Sequence, residues 1–247
     1  MAAGDSHPES PGFSIEARAA VAVLAILLIY WLVQRLFRSG SGSRGSSMLL
    51  VGPSGAGKTV LFLQLKEGDT LNGTVTSMDE NEGTFRPKAE GADGIDSAVH
   101  FVDLPGHPRL KHKLEKYIGG AAGIVFMLDA TDFMPHSKDI AEQLYDLLTH
   151  PVFRNHHIPL LLACNKADLG AKAHTDNFIV KLLEREIENL RSTQSTLEGE
   201  GRRTPIGKEG EAFSFKHVVS KVAVAKISAI TGDIGPVLQF TRECVKL

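Results

Sequence analysis

Met48-Leu49-Leu50-Val51, followed by Gly52-Pro53-Ser54-Gly55-Ala56-Gly57-Lys58-Thr59, is a short apolar run that enters a glycine-rich loop. The run predicts a strand, and residues 60–65 predict a helix that starts near Thr59. A G-x-x-x-x-G-K-T loop between strand and helix wraps phosphates with its backbone N–H groups. Gly52, Gly55 and Gly57 permit the tight turn and close approach of backbone to anion. Lys58 can reach the β- and γ-phosphates of a nucleotide, and the Thr59 hydroxyl can ligate Mg²⁺. The positive end of the helix dipole points at the same phosphates. Pro53, Ser54 and Ala56 complete the cradle.

Outward from this loop, the domain alternates. Apolar runs at 98–102, 123–129, 158–164 and 222–228 predict further strands. Residues 139–148 and 177–190 carry apolar side chains at helical spacing. Near-continuous apolar strands between amphipathic helices predict a mostly parallel α/β sheet with helices on both faces. Ligands of such sheets sit at the carboxyl ends of the strands.

The other candidate residues fall at those ends. Asp103-Leu104-Pro105-Gly106-His107 follows the second run. Alone, Asp-x-Pro-Gly reads as a β-turn. Downstream of a phosphate loop, Asp103 can hold a Mg²⁺-bound water and the Gly106 N–H can bond a γ-phosphate. Asn165-Lys166-Ala167-Asp168 follows the fourth run. The Asp168 carboxylate can accept from the N1–H and 2-amino group of guanine, a donor pair that adenine lacks, and the Lys166 stem can lie on the purine plane. After the last run, the backbone N–H of Ala229, beside Ser228, is placed to contact the guanine oxygen. Residues 67–97 are polar and glycine-rich, a segment that can order around a γ-phosphate and Mg²⁺. Among its threonines, Thr76 and then Thr74 are the preferred metal ligands, with Thr70 a third candidate.

Upstream lies a different kind of segment. Residues 19–34 carry no charge and as a helix reach about 24 Å, short of a typical bilayer core but near the thinner membrane of the endoplasmic reticulum. Tyr30 and Trp31 stand where an aromatic belt is expected. The acidic start and the lack of a small-residue cleavage site argue against a signal peptide. Arg35, Arg38 and Arg44 follow the span, so the positive-inside rule puts residues 1–18 in the lumen and the domain in the cytosol. The expected organisation is a lumenal 1–18, one transmembrane helix at 19–37, a Gly/Ser linker at 38–47 and a nucleotide-binding domain at 48–247. Within that domain, 192–215 reads as an insertion that begins with a polar, disordered loop at 192–203.

Composition agrees with this plan. The net charge of −2 over 247 residues gives no reason to expect sequence-specific nucleic-acid binding. The two cysteines, Cys164 and Cys244, make no disulfide framework, which suits a reducing compartment.

Taken together, residues 52–59, 103–106, 165–168 and 228–229 resemble the marks of the small, Ras-like GTPases over 48–247. With the membrane span, the chain resembles the β subunits of the signal recognition particle receptor, relatives of the Arf/Sar branch. Thr-Val-Thr-Ser at 74–77, Asp-Leu-Pro-Gly-His at 103–107 and the insertion at 207–215 carry that narrower likeness. It implies GTP/GDP and Mg²⁺ as ligands. It also implies an α subunit held through the switch segments at the endoplasmic reticulum bilayer, near ribosomes and the protein-conducting channel. Ras-like enzymes carry a Gln where His107 stands, and an imidazole there can also position water. The resemblance thus leaves open a slow GTPase switch with His107 as the catalytic group and a GTP-loaded anchor that hardly hydrolyses. An Arf-like trafficking GTPase is a third alternative.

Overall fold

A computed structural model describes residues 45–68, 79–87, 95, 97–106, 111–197, 206–208 and 210–246. The expected membrane helix, most of the linker, Thr70, Thr74, Thr76 and His107 lie outside these residues. Among the described residues, no helix is long and apolar enough to cross a membrane.

The strands are β1 (Ser47–Val51), β2 (Asn81–Phe85), β3 (Val99–Asp103), β4 (Ala121–Asp129), β5 (Leu160–Asn165) and β6 (Val222–Lys226). They form one sheet in the order β2-β3-β1-β4-β5-β6. All pairs are parallel except β2 with β3. The helices are α1 (Lys58–Glu67), α2 (Lys111–Ile118), α3 (Phe133–Thr149), α4 (Pro151–Asn155), α5 (Asp176–Leu197) and α6 (Gly235–Lys246). The expected mostly parallel α/β sheet with helices on both faces is thus present.

Two cores explain why the central strands read as unbroken apolar runs. Along β4, Ile124, Phe126 and Leu128 point to one face, where Ile140 and Leu144 of α3 and Ile179 and Leu183 of α5 meet them. Val125 and Met127 point to the other, against Leu61 and Leu65 of α1 and Val237 and Phe240 of α6. A strand buried on both sides has no position at which a polar residue is free of cost. Cys164 and Cys244 are buried, and burial pushes both thiols up to about 12, so they behave as small apolar residues.

Two elements depart from the sequence reading. Within the polar, glycine-rich segment at 67–97, for which no strand is expected, Asn81–Phe85 forms the edge strand β2. Its sequence, Asn-Glu-Gly-Thr-Phe, hides a strand because backbone pairing, one aromatic and the Asn81 amide hold it, and none of these makes an apolar alternation. Phe85 stacks on Phe101 at 5.2 Å between centroids and meets Phe62 edge-on at 5.6 Å. At the other end, α5 continues to Leu197, through the start of the stretch read as a loop from Ser192. Ser192 and Thr193 return their hydroxyls to the carbonyls of Glu188 and Asn189, so their side chains are satisfied within the helix.

The insertion is tied to α5 by charge and backbone together. Arg191 donates to the carbonyls of Ile206, Lys208 and Glu211 and pairs with Glu188 at 2.9 Å. Glu188 accepts from the Phe213 N–H, and Glu184 accepts from the Ser214 hydroxyl and the Phe215 N–H. These bonds seat the rings of Phe213 and Phe215 edge to face, 5.5 Å apart, in the core beside α5.

Candidate functional site

Strand β1 ends at Val51 and α1 begins at Lys58, so the glycine-rich loop is the turn between them. Gly57 stands at φ 93°, a left-handed conformation that puts the first N–H groups of α1 toward the cleft. A Cβ there would lie 2.3 Å from the Asn165 amide nitrogen, so no side chain fits. Gly106 is equally constrained, because its Cβ would meet Ser54 N at 2.4 Å and Lys58 Nζ at 2.7 Å. The 103–106 turn therefore lies directly against the phosphate loop.

Lys58 is only 6% exposed. Its ammonium donates to the carbonyls of Gly52 at 2.9 Å and Pro53 at 2.8 Å. Burial draws its pKa down to about 8, opposed by the nearby charge of Asp103. Two backbone carbonyls are weak partners for a buried cation, so this ammonium is set to exchange them for anionic oxygens.

Asp103 is the last residue of β3 and is 1% exposed. Its Oδ2 accepts from Thr59 Oγ1 at 2.6 Å and from Asn81 Nδ2 at 3.0 Å. Its Oδ1 is buried and has no hydrogen-bond partner among the described residues. Burial raises its pKa, against the two hydrogen bonds and the charge of Lys58. An orphaned carboxylate oxygen in a buried position is costly, and a cation or its water is what such an oxygen fits.

At the other end of the cleft, Asn165 closes β5 and is 3% exposed. Its Nδ2 donates to the Ala56 carbonyl at 2.8 Å and its Oδ1 accepts from the Ala229 N–H at 3.0 Å. One side chain thus ties the phosphate loop to the loop after β6. Lys166 adopts φ 65° and pairs its ammonium with the Asp129 carboxylate. Burial works to raise the Asp129 pKa, but hydrogen bonds from Lys166 and Thr131 outweigh it and hold the carboxyl below its usual range. Asp168 accepts from the Ser228 hydroxyl at 2.6 Å, and that hydroxyl in turn accepts from the Thr231 N–H.

These groups surround one cleft of about 360 Å³. Ser54, Gly55, Gly57, Lys58 and Thr59 line one end, Asp103 and Gly106 one side, and Asn165, Lys166, Asp168 and Ala229 the other end. The size suits a small-molecule ligand. Gly52, Pro53, Ala56 and Ser228 stand behind this wall and bond the residues that form it. The structure thus gathers Gly52, Pro53, Ser54, Gly55, Ala56, Gly57, Lys58, Thr59, Asp103, Gly106, Asn165, Lys166, Asp168, Ser228 and Ala229. Three residues escaped the sequence reading. Asn81 sits in the unrecognised β2. Asp129 was legible as an acid that ends an apolar strand. Ile230, 46% exposed beside Ala229 at the Asp168 end of the cleft, had no sequence signal.

Residues 43–222 match the family model described as signal recognition particle receptor beta subunit. The human signal recognition particle receptor subunit beta is 35% identical over 225 residues, 87% of this chain and 79% of that protein. The structure described as that of the mammalian SRP receptor superposes with a TM-score of 0.68 at 31% identity, covering 80% of this chain and 99% of that one. An SRb-GTP/SRX complex from Chaetomium thermophilum superposes at 0.62 and 21% identity over 80% of this chain and 98% of that one, a likeness of fold alone.

Proposed function

The chain belongs to the signal recognition particle receptor β-subunit family, and from that premise we propose that it is a GTP-binding subunit that holds the receptor α subunit at the endoplasmic reticulum membrane. The observation that carries this reading is the single cleft shared by the phosphate loop, Asp103, Asn165 and Asp168. Its two ends have different chemistry. Lys58 and the N–H groups of the loop bind phosphates at one. At the other, Asp168 accepts from the N1–H and 2-amino group of guanine while Ser228 fixes its carboxylate; the Ala229 N–H, expected to meet the guanine oxygen, donates instead to Asn165 Oδ1 and reaches the base only by leaving that acceptor.

The residues also fit Mg²⁺. Thr59 supplies a hydroxyl, Asp103 a buried carboxylate with an unpaired oxygen, and Thr76, or Thr74 in its place, a further ligand. Bound there, the ion neutralises phosphate charge. The chain supplies no arginine to the cleft among its described lining residues. Hydrolysis, with His107 placing the water, is therefore slow, of order 10⁻⁴–10⁻² s⁻¹ as for unassisted switches. Residues 19–37 anchor the protein with 1–18 lumenal, the linker 38–47 spaces it, and the domain from 48 onward faces cytosolic nucleotide. The α subunit binds through the segments around Thr76 and His107, and the complex meets ribosomes near the protein-conducting channel.

The test is capture of the α subunit by the full chain loaded with GTP or with GDP, together with single-turnover hydrolysis of the preloaded GTP. Capture that requires GTP supports the reading. Capture indifferent to the nucleotide refutes it. Unchanged hydrolysis and unchanged capture in His107→Ala would leave a GTP-loaded anchor in place of a switch. Coat proteins captured in place of the α subunit would make it an Arf-like trafficking protein.

A further inference from the structure

The Asp103 carboxylate is held by two donors of unequal standing. Thr59 Oγ1 and Asn81 Nδ2 both reach Oδ2, and Oδ1 is left without a partner among the described residues. An ionised carboxylate only accepts hydrogen bonds, so the Asn81 group that faces it is the amide N–H₂. Thr59 has a second duty as a proposed metal ligand, whereas an amide nitrogen does not ligate Mg²⁺. Among the described residues, Asn81 is therefore the donor that serves the carboxylate alone, fixing its rotation. By occupying Oδ2 it leaves Oδ1 for the ion or its water.

The backbone beneath Asn81 is fixed from two directions. It pairs with Asp103 itself across the antiparallel β2–β3 ladder. The preceding residue, Glu80, is gripped by α2: Lys113 pairs with it at 2.5 Å, Lys116 at 3.2 Å, and the Tyr117 hydroxyl donates at 3.3 Å. Hydrogen bonds from Lys113 and Lys116 hold the Glu80 carboxyl down at about 2. Lys113 also pairs with Asp79 at 3.1 Å.

We propose that Asn81 is a positioning residue for Mg²⁺, orienting the Asp103 carboxylate from the edge strand so that its free oxygen serves the ion. The inference rests on the guanine-nucleotide reading of the cleft. Residues that orient a metal ligand in this way change metal affinity about tenfold or more when removed. Asn81 is not a catalytic residue, since it touches Asp103 and not the nucleotide.

The test is release of fluorescent GDP from the full chain in detergent, followed as Mg²⁺ is titrated from zero. In the native chain Mg²⁺ slows release with a definable half-point. In Asn81→Ala that half-point rises about tenfold while release in excess chelator stays within twofold. Glu82→Ala, an exposed change on the same strand, moves neither. If Asn81→Ala does not fold, Asn81→Ser, which shortens the side chain, carries the same two expectations. An unchanged half-point overturns the inference, and so does an equal acceleration with and without Mg²⁺, which marks a merely structural role. A native chain that binds no guanine nucleotide overturns the reading of the cleft itself.

Discussion

Asn165→Ala tests the tie between the two halves of the cleft. The native amide satisfies the Ala56 carbonyl at 2.8 Å and the Ala229 N–H at 3.0 Å. Both residues are buried, at 0% and 1% exposure, so removal of the amide orphans a buried acceptor and a buried donor. Each such group costs about 1–3 kcal/mol. Entry of a water into the vacated space recovers part of this, which leaves a net loss of about 2–4 kcal/mol. For a domain of this size that lowers the melting temperature by about 4–16 °C. The effect on guanine nucleotide should exceed the effect on stability, because the two loops proposed to contact phosphate and purine would no longer be held at a fixed separation. Differential scanning calorimetry of the full chain, with and without GDP, measures both. Asn165→Asp keeps the acceptor for Ala229 but sets a carboxylate against the Ala56 carbonyl, so it should be no more stable than the alanine variant. A melting shift under about 2 °C with unchanged GDP affinity would refute the bridging role.

The remaining expectations concern individual groups. Asp168→Asn should turn base preference from guanine toward xanthine, since the amide presents a donor where the carboxylate accepted; competition by GDP and XDP for the cleft checks this, and unchanged selectivity counts against the assignment. Thr59→Asn should weaken Mg²⁺–GTP more than GDP, and equal affinities before and after would remove Thr59 from the metal site. Lys58 has a folded pKa of about 8 against 10.5 for the unfolded chain. Between those values the unfolded chain holds more protons, so the Lys58 contribution makes the ligand-free protein more stable as pH rises from about 8 to 10.5, by up to roughly 3 kcal/mol. Below pH 8 the full cost of burying the charge is present. Urea midpoints of native chain and Lys58→Met at pH 7.5 and 10 should therefore differ in their pH dependence, and parallel behaviour would contradict the burial argument.

Much of this was legible because the chemistry is local in sequence. A phosphate loop needs glycines, Lys and Thr on contiguous residues, and the strands around it are buried on both faces, so β1, β4 and β5 stand out as apolar runs. Asp103, Asn165 and Asp168 were found because each follows such a run. What was hidden is held by partners distant in sequence. β2 exists through its ladder with β3 and the contact of Phe85 with Phe101, neither of which leaves a pattern in Asn-Glu-Gly-Thr-Phe. Asn81 acquires its place at the Asp103 carboxylate only through that ladder. The last turns of α5 look like loop because Ser192 and Thr193 are poor helix formers whose hydroxyls compete for backbone partners; here they bond the preceding turn and the helix continues. The start of the insertion reads as polar loop, yet Arg191 and Glu188 on α5 hold the backbone of the part that follows.

The central claim is that this cleft holds a guanine nucleotide. The most direct measurement is to purify the full chain in detergent without added nucleotide, denature it, and identify what is released by ion-exchange chromatography. GTP or GDP at about one per chain is the predicted result. An adenine nucleotide in that amount, or an empty protein that then fails to bind GTP and GDP with Mg²⁺, would contradict it.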